Sequence, residues 1–215
     1  MHSLAAQGIA GFVGSAALSG VTLWSIKASR ATEEPKSISK LLGEKRPDKR
    51  LLFNGYQGKT DGSQEAWRFA WKKYVGDHSG LAKNPFSLTI NSSLVNAPAE
   101  FMNACKNLFG EKVLNQESEK YSLAFEYCTR DALVSDWIWV KGKQLVNSNS
   151  GNWGNLWSKY QSANKYKWNA AEVNDQNKFK SKCTSEYSTP AGADNDVSVL
   201  RILEYCSEDR PANSR

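Results

Sequence analysis

Histidine is nearly missing from this 215-residue chain: His2 stands beside the start and His78 lies in a polar stretch, Gly76-Asp-His-Ser-Gly80. A Ser/His/Asp or Cys/His arrangement would have to be built on His78, and nothing near it in sequence suggests one. The stretch reads as a solvated turn. Neither G-x-G-x-x-G nor G-x-x-x-x-G-K-[ST] occurs, so the common glycine-rich phosphate cradles are absent. Only four cysteines are present and no C-x-x-C pair occurs, which argues against a structural zinc site. Carboxylates such as Glu65, Glu126, Asp131 and Glu204 are scattered and read as solvated helix edges. The expectation is a non-enzymatic protein with no catalytic residues, no cofactor and no metal.

What is present points to a globular chain. Hydrophobic residues make up 40% and charged residues 23%, near globular averages. The length suits one ordinary domain or two small ones. Trp, Tyr and Phe number eight each, and in small helical units such residues anchor cores. The net charge is +6, but residues 27–50 hold eight Lys/Arg against four Asp/Glu. The basic character is therefore concentrated in a short stretch, whereas nucleic-acid readers more often carry it on the folded surface.

Two patterns occur twice. Trp67-x-x-x-Trp71-x-x-Tyr74 returns as Trp153-x-x-x-Trp157-x-x-Tyr160, 86 positions later. Phe101-x-x-x-Cys105 … Tyr127-Cys128 returns as Phe179-x-x-x-Cys183 … Tyr205-Cys206, 78 positions later, so a connection is eight residues shorter in the second copy. A period this long implies a duplicated structural unit. Trp67, Trp71, Tyr74 and Phe101, with Trp153, Trp157, Tyr160 and Phe179, are the expected structural anchors.

Both cysteine pairs are 23 residues apart, suggesting local pairs Cys105–Cys128 and Cys183–Cys206. They are either disulfides, which needs an oxidising location, or reduced thiols packed as small apolar groups. Helical periodicity appears at Trp67–Tyr74, after Pro98 through Gly110, and over Ser118–Cys128, with the same scheme in the second copy. Phe86–Ile90 reads as a brief extended segment, and Ala132–Val140 as a connection between units.

Leu4 to Ile26 contains no charged residue, and 23 residues can span a hydrocarbon core of about 30 Å. Small residues recur four apart and Trp24 stands at the basic end, as in a membrane helix. The fold expected is mainly α: an N-terminal transmembrane helix and two tandem copies of a small three-helix unit. The divisions are 1–27 anchor or signal, 28–50 basic linker, 51–130 first unit, 131–207 second unit and 208–215 polar tail. The positive-inside tendency puts the basic flank, and so the folded part, in the cytoplasm.

The glycine-, alanine- and serine-rich start, the Trp…Lys-Tyr blocks and the Phe-x-x-x-Cys … aromatic-Cys blocks resemble the short paralogous proteins of haemotropic mycoplasmas. The aromatic before the second cysteine is Tyr127 and Tyr205, where that family often has Trp. The resemblance covers most of the chain and implies a membrane-anchored surface antigen with its folded part outside the cell, against the charge rule. It supplies no catalytic residues.

The leading expectation is thus a single-pass cell-membrane surface protein for display, adhesion or antigenic variation. Its partners would be the membrane, through the N-terminal helix, and a host-cell surface or another copy of the chain. A cytoplasm-facing tethered scaffold is the first alternative. A basic glycan or nucleic-acid module is the second, resting on the aromatic and lysine-rich stretch Tyr160–Trp168, although nucleic acid is disfavoured. In the competing reading of that stretch, Tyr160 belongs to the core and Trp168 caps it.

Overall fold

The computed structural model describes residues 34–53 and 61–211. The segment read as a transmembrane helix, 4–26, lies outside the described residues, and among these no helix is long and apolar enough to cross a membrane. The described chain is mainly helical. Eight helices are joined by three two-stranded antiparallel ribbons.

In the first half, β1 (Lys36–Ser37) leads into α1 (Ile38–Lys45), β2 (Lys49–Leu51), α2 (Glu65–His78), α3 (Ala99–Gly110), β3 (Lys112–Val113), α4 (Glu119–Tyr127) and β4 (Thr129–Asp131). Ser37 starts α1 by accepting the Lys40 N–H at 3.3 Å, the usual role of serine at a helix entrance. Pro98 precedes α3, where its missing N–H costs nothing. Trp67, Ala70, Trp71 and Tyr74 fall on one face of α2 and are all buried. Near its entrance the chain turns at Gly62, whose φ of +71° and proximity to the Ala97 carbonyl leave no room for a Cβ.

The second half follows with α5 (Val134–Val140), β5 (Lys143–Leu145), α6 (Trp153–Ser162), α7 (Gln176–Tyr187), α8 (Val197–Tyr205) and β6 (Ser207–Asp209). Several of its contacts match those of the first half at equivalent positions. The Leu52 N–H donates to the Cys128 carbonyl at 2.9 Å, and the Val146 N–H to the Cys206 carbonyl at 3.0 Å. The Ile38 N–H donates to the Glu111 carbonyl at 2.8 Å, and the Val134 N–H to that of Thr189 at 2.9 Å. Ribbon β2–β4 is tied by Lys49–Asp131 and ribbon β5–β6 by Lys143–Asp209.

Several boundaries expected from sequence are corrected. Residues 34–50 are not a linker, because Ile38, Leu41 and Leu42 are buried against Val113, Tyr121 and Ala124. Ala132–Val140 is not a connection either. Val134–Val140 within it form α5, whose Val134 and Ile138 lie in the core of the second half. Among the described residues each half therefore has four helices rather than three, and each closes with a ribbon. Asp131 ends β4 of the first half, and Glu208 and Asp209 belong to β6 (Ser207–Asp209) rather than to a polar tail. Phe86–Ile90 makes no strand, although Phe86, Leu88 and Ile90 pack against the core.

Sequence reasoning allows no more than one amphipathic turn at Ile38, Leu41 and Leu42 and misses α5, because each is a short helix of two turns. Their apolar positions, Ile38/Leu41/Leu42 and Val134/Trp137/Ile138, carry the i, i+3, i+4 signal only once. The first lies inside a charge-rich stretch, which masked it.

Candidate functional site

The residues singled out by sequence converge on two equivalent cores. Trp67 meets Phe101 edge-on at 6.0 Å and 79°, and Trp153 meets Phe179 at 6.1 Å and 78°. Tyr74 stands edge-on to Tyr127 at 5.2 Å, and Tyr160 to Tyr205 at 5.5 Å. Such pairs add roughly 1 kcal/mol each beyond the area they bury. Seven of the eight anchors are buried and Trp157 is half-buried. Trp71 donates from Nε1 to the Leu94 carbonyl at 3.2 Å, in the long connection that the second half shortens, so Trp157 has less cover.

Beside these rings lie two disulfides, Cys105–Cys128 and Cys183–Cys206, with Cα separations of 5.4 and 5.7 Å. All four cysteines are fully buried. Each bridge joins the middle of one helix to the end of the next, α3 to α4 and α7 to α8.

His78 is not in a solvated turn. It ends α2 and packs against Tyr74 at 4.6 Å and Tyr127 at 5.5 Å. The Tyr127 hydroxyl donates to Asp77 at 3.0 Å. Burial, followed by the Asp77 and Glu126 carboxylates, pushes the Tyr127 phenol up to about 12. Three of the scattered carboxylates are in ion pairs: Glu126 with Lys73, Glu204 with Lys159 and Asp131 with Lys49. The first two pairs are counterparts, and both lysines also lie over tyrosine rings, Tyr127 and Tyr205.

The Tyr160–Trp168 stretch is mostly structural. Tyr160 is in the core, and its hydroxyl oxygen accepts the Trp168 N–H at 3.0 Å. Arg201 lies over the Trp168 ring at 4.9 Å, donates to the Tyr166 carbonyl at 2.6 Å and pairs with Glu186. Burial pushes the Glu186 carboxyl up against the pull of Arg201. Trp168 is thus held between Tyr160, Phe179 and Arg201 rather than standing open as a stacking platform.

A recess of about 940 Å³ opens where the halves meet. Phe69, Phe125, Leu133 and Pro190 supply apolar surface, and Phe69 is 72% exposed. Around it Lys49 is matched by Asp131, Lys73 by Glu126 and Asp77, and Arg46 by Asp48. The rim is thereby largely self-neutralised. Among the described residues no group of three or more His, Cys, Asp and Glu side chains is arranged to hold a metal ion.

The chain matches no family model, no curated protein and no solved structure.

Proposed function

We propose that this chain is a non-enzymatic, membrane-anchored protein displayed on the oxidising, outer side of its membrane, for adhesion or antigenic variation. Its folded part is two tandem copies of one module, each a four-helix unit. The paired contacts on offsets of 96, 94, 86 and 78 residues support the duplication, since separate origins would not reproduce hydrogen bonds, ring angles and ion pairs together. The anchor reading rests on the uncharged stretch Leu4–Ile26.

The observation that carries the outward orientation is the pair of disulfides buried at matched positions. Bridges persist in oxidising compartments and are rare in reducing ones. They outweigh the basic flank, three of whose cations are engaged within the folded part: Lys36 with Glu44, Arg46 with Asp48, Lys49 with Asp131. The resemblance in the cysteine and tryptophan blocks leads to the same orientation.

Protease treatment of intact cells, with non-reducing peptide mapping of chain taken from those cells, tests the reading. Digestion of the folded part and recovery of Cys105–Cys128 and Cys183–Cys206 peptides are expected. Full protection together with four free thiols would overturn it in favour of a cytoplasm-facing scaffold.

A further inference from the structure

The second half provides an internal control for one face of the first. Its Leu133 and Pro190 border the recess shared with the first half, and its Asp136 is held there by Arg130. The matched positions in the first half, by offsets of 96 and 78, are Ser37, Lys112 and Lys40. A face that meets protein in one copy carries lysine in the other.

Lys36, Lys40, Lys45 and Lys112 line a shallow concavity of about 500 Å³ on this face, with Glu34 as the carboxylate among its lining residues. Lys36 is paired with Glu44, while Lys40, Lys45 and Lys112 are exposed and make no ion pair among the described residues. Leu114, 60% exposed, lies at the same rim.

We infer that this lysine face rests on the anionic headgroups of the membrane that holds residues 4–26. The inference builds on the anchored reading above. The described chain begins at this face with Glu34, and the seven residues between Ile26 and Glu34 reach at most about 25 Å. Charge decides the occupant: lysines that outnumber the nearby carboxylates Glu34 and Glu44, tethered this close, face a phosphate-bearing surface. Each such lysine strengthens attachment roughly fivefold.

The test uses the full chain with vesicles of phosphatidylcholine alone, or containing about one-third phosphatidylglycerol. Lysine acylation is read residue by residue, with the exposed Lys178 of the second half as reference. Lys40, Lys45 and Lys112 are expected to react several-fold more slowly on the anionic vesicles only, and to recover at about 0.5 M salt, where screening is strong. Lys178 should not change. Retention of the chain after an alkaline wash reports the anchor separately. A chain lost from neutral vesicles yet protected on anionic ones would sink the anchor and keep the face. Equal reaction on both vesicles, protection that ignores lipid charge, or equal protection of Lys178 would overturn the inference.

Discussion

The Arg130 guanidinium grips the Asp136 carboxylate with two hydrogen bonds, of 2.6 and 2.8 Å, across the junction of the two halves. The side chains are 12% and 18% exposed, and Asp136 also accepts the Leu133 N–H at 2.8 Å, capping α5. Removing one partner leaves the other charge largely buried. Arg130→Ala is therefore expected to cost about 3 kcal/mol in urea denaturation. Burial alone would raise the Asp136 carboxyl, but Arg130 and the Leu133 N–H outweigh it and hold it below its ordinary value. Its stabilising contribution is present above the ordinary carboxylate range and is lost as pH falls through the lowered value. Asp136→Asn should flatten that acid limb.

Ile38→Ala tests whether α1 belongs to the core. The side chain is fully buried, so a loss of about 3 kcal/mol is expected, against under about 0.5 for a linker position. The same unfolding curve decides it.

Replacing Cys105 and Cys128 together by Ala should cost about 3 kcal/mol through the unfolded chain's regained freedom. With both sulfurs buried, the native bridge should resist dithiothreitol until denaturant opens the fold. Mass shifts after alkylation, with and without urea, give the readout.

Tyr127 should titrate near pH 12 in the ultraviolet, well above a free phenol. Because the folded value is the higher one, its contribution is complete below about pH 10 and disappears as pH rises to about 12. Tyr127→Phe should delete that phase from the alkaline titration.

The Tyr74 hydroxyl donates to Asn84 at 2.6 Å and accepts the Phe86 N–H at 3.0 Å, while Tyr160 accepts the Trp168 N–H. Tyr74→Phe is expected to cost about 2 kcal/mol and Tyr160→Phe about 1, since the first strands more buried polar groups. Phe86 follows Tyr74 by twelve residues and Trp168 follows Tyr160 by eight, so half of the eight-residue difference falls before this contact and half after it.

Much of the site was legible in residue types. Trp67, Phe101, Cys105 and their second-copy partners were found because Trp and Cys rarely recur in register by chance. The helices α2, α3 and α4 were found because each shows i, i+3, i+4, i+7 apolar spacing. His78 was misread because its neighbours Gly76 and Gly80 signal a turn, while the rings that cover it, above all Tyr127, come from a distant helix.

Local pattern by itself determined the mainly helical class, the duplicated order of the halves and the equal spacing of the cysteines, because periodicity and repetition are properties of neighbouring residues. Only the tertiary structure decided that the charged stretch 36–51 folds into the first half, that α5 opens the second, and that six short segments pair into the three ribbons. Those outcomes depend on partners 60 to 82 positions away, such as Lys49 with Asp131 and Gln144 with Glu208, and no window along the chain contains both members of such a pair.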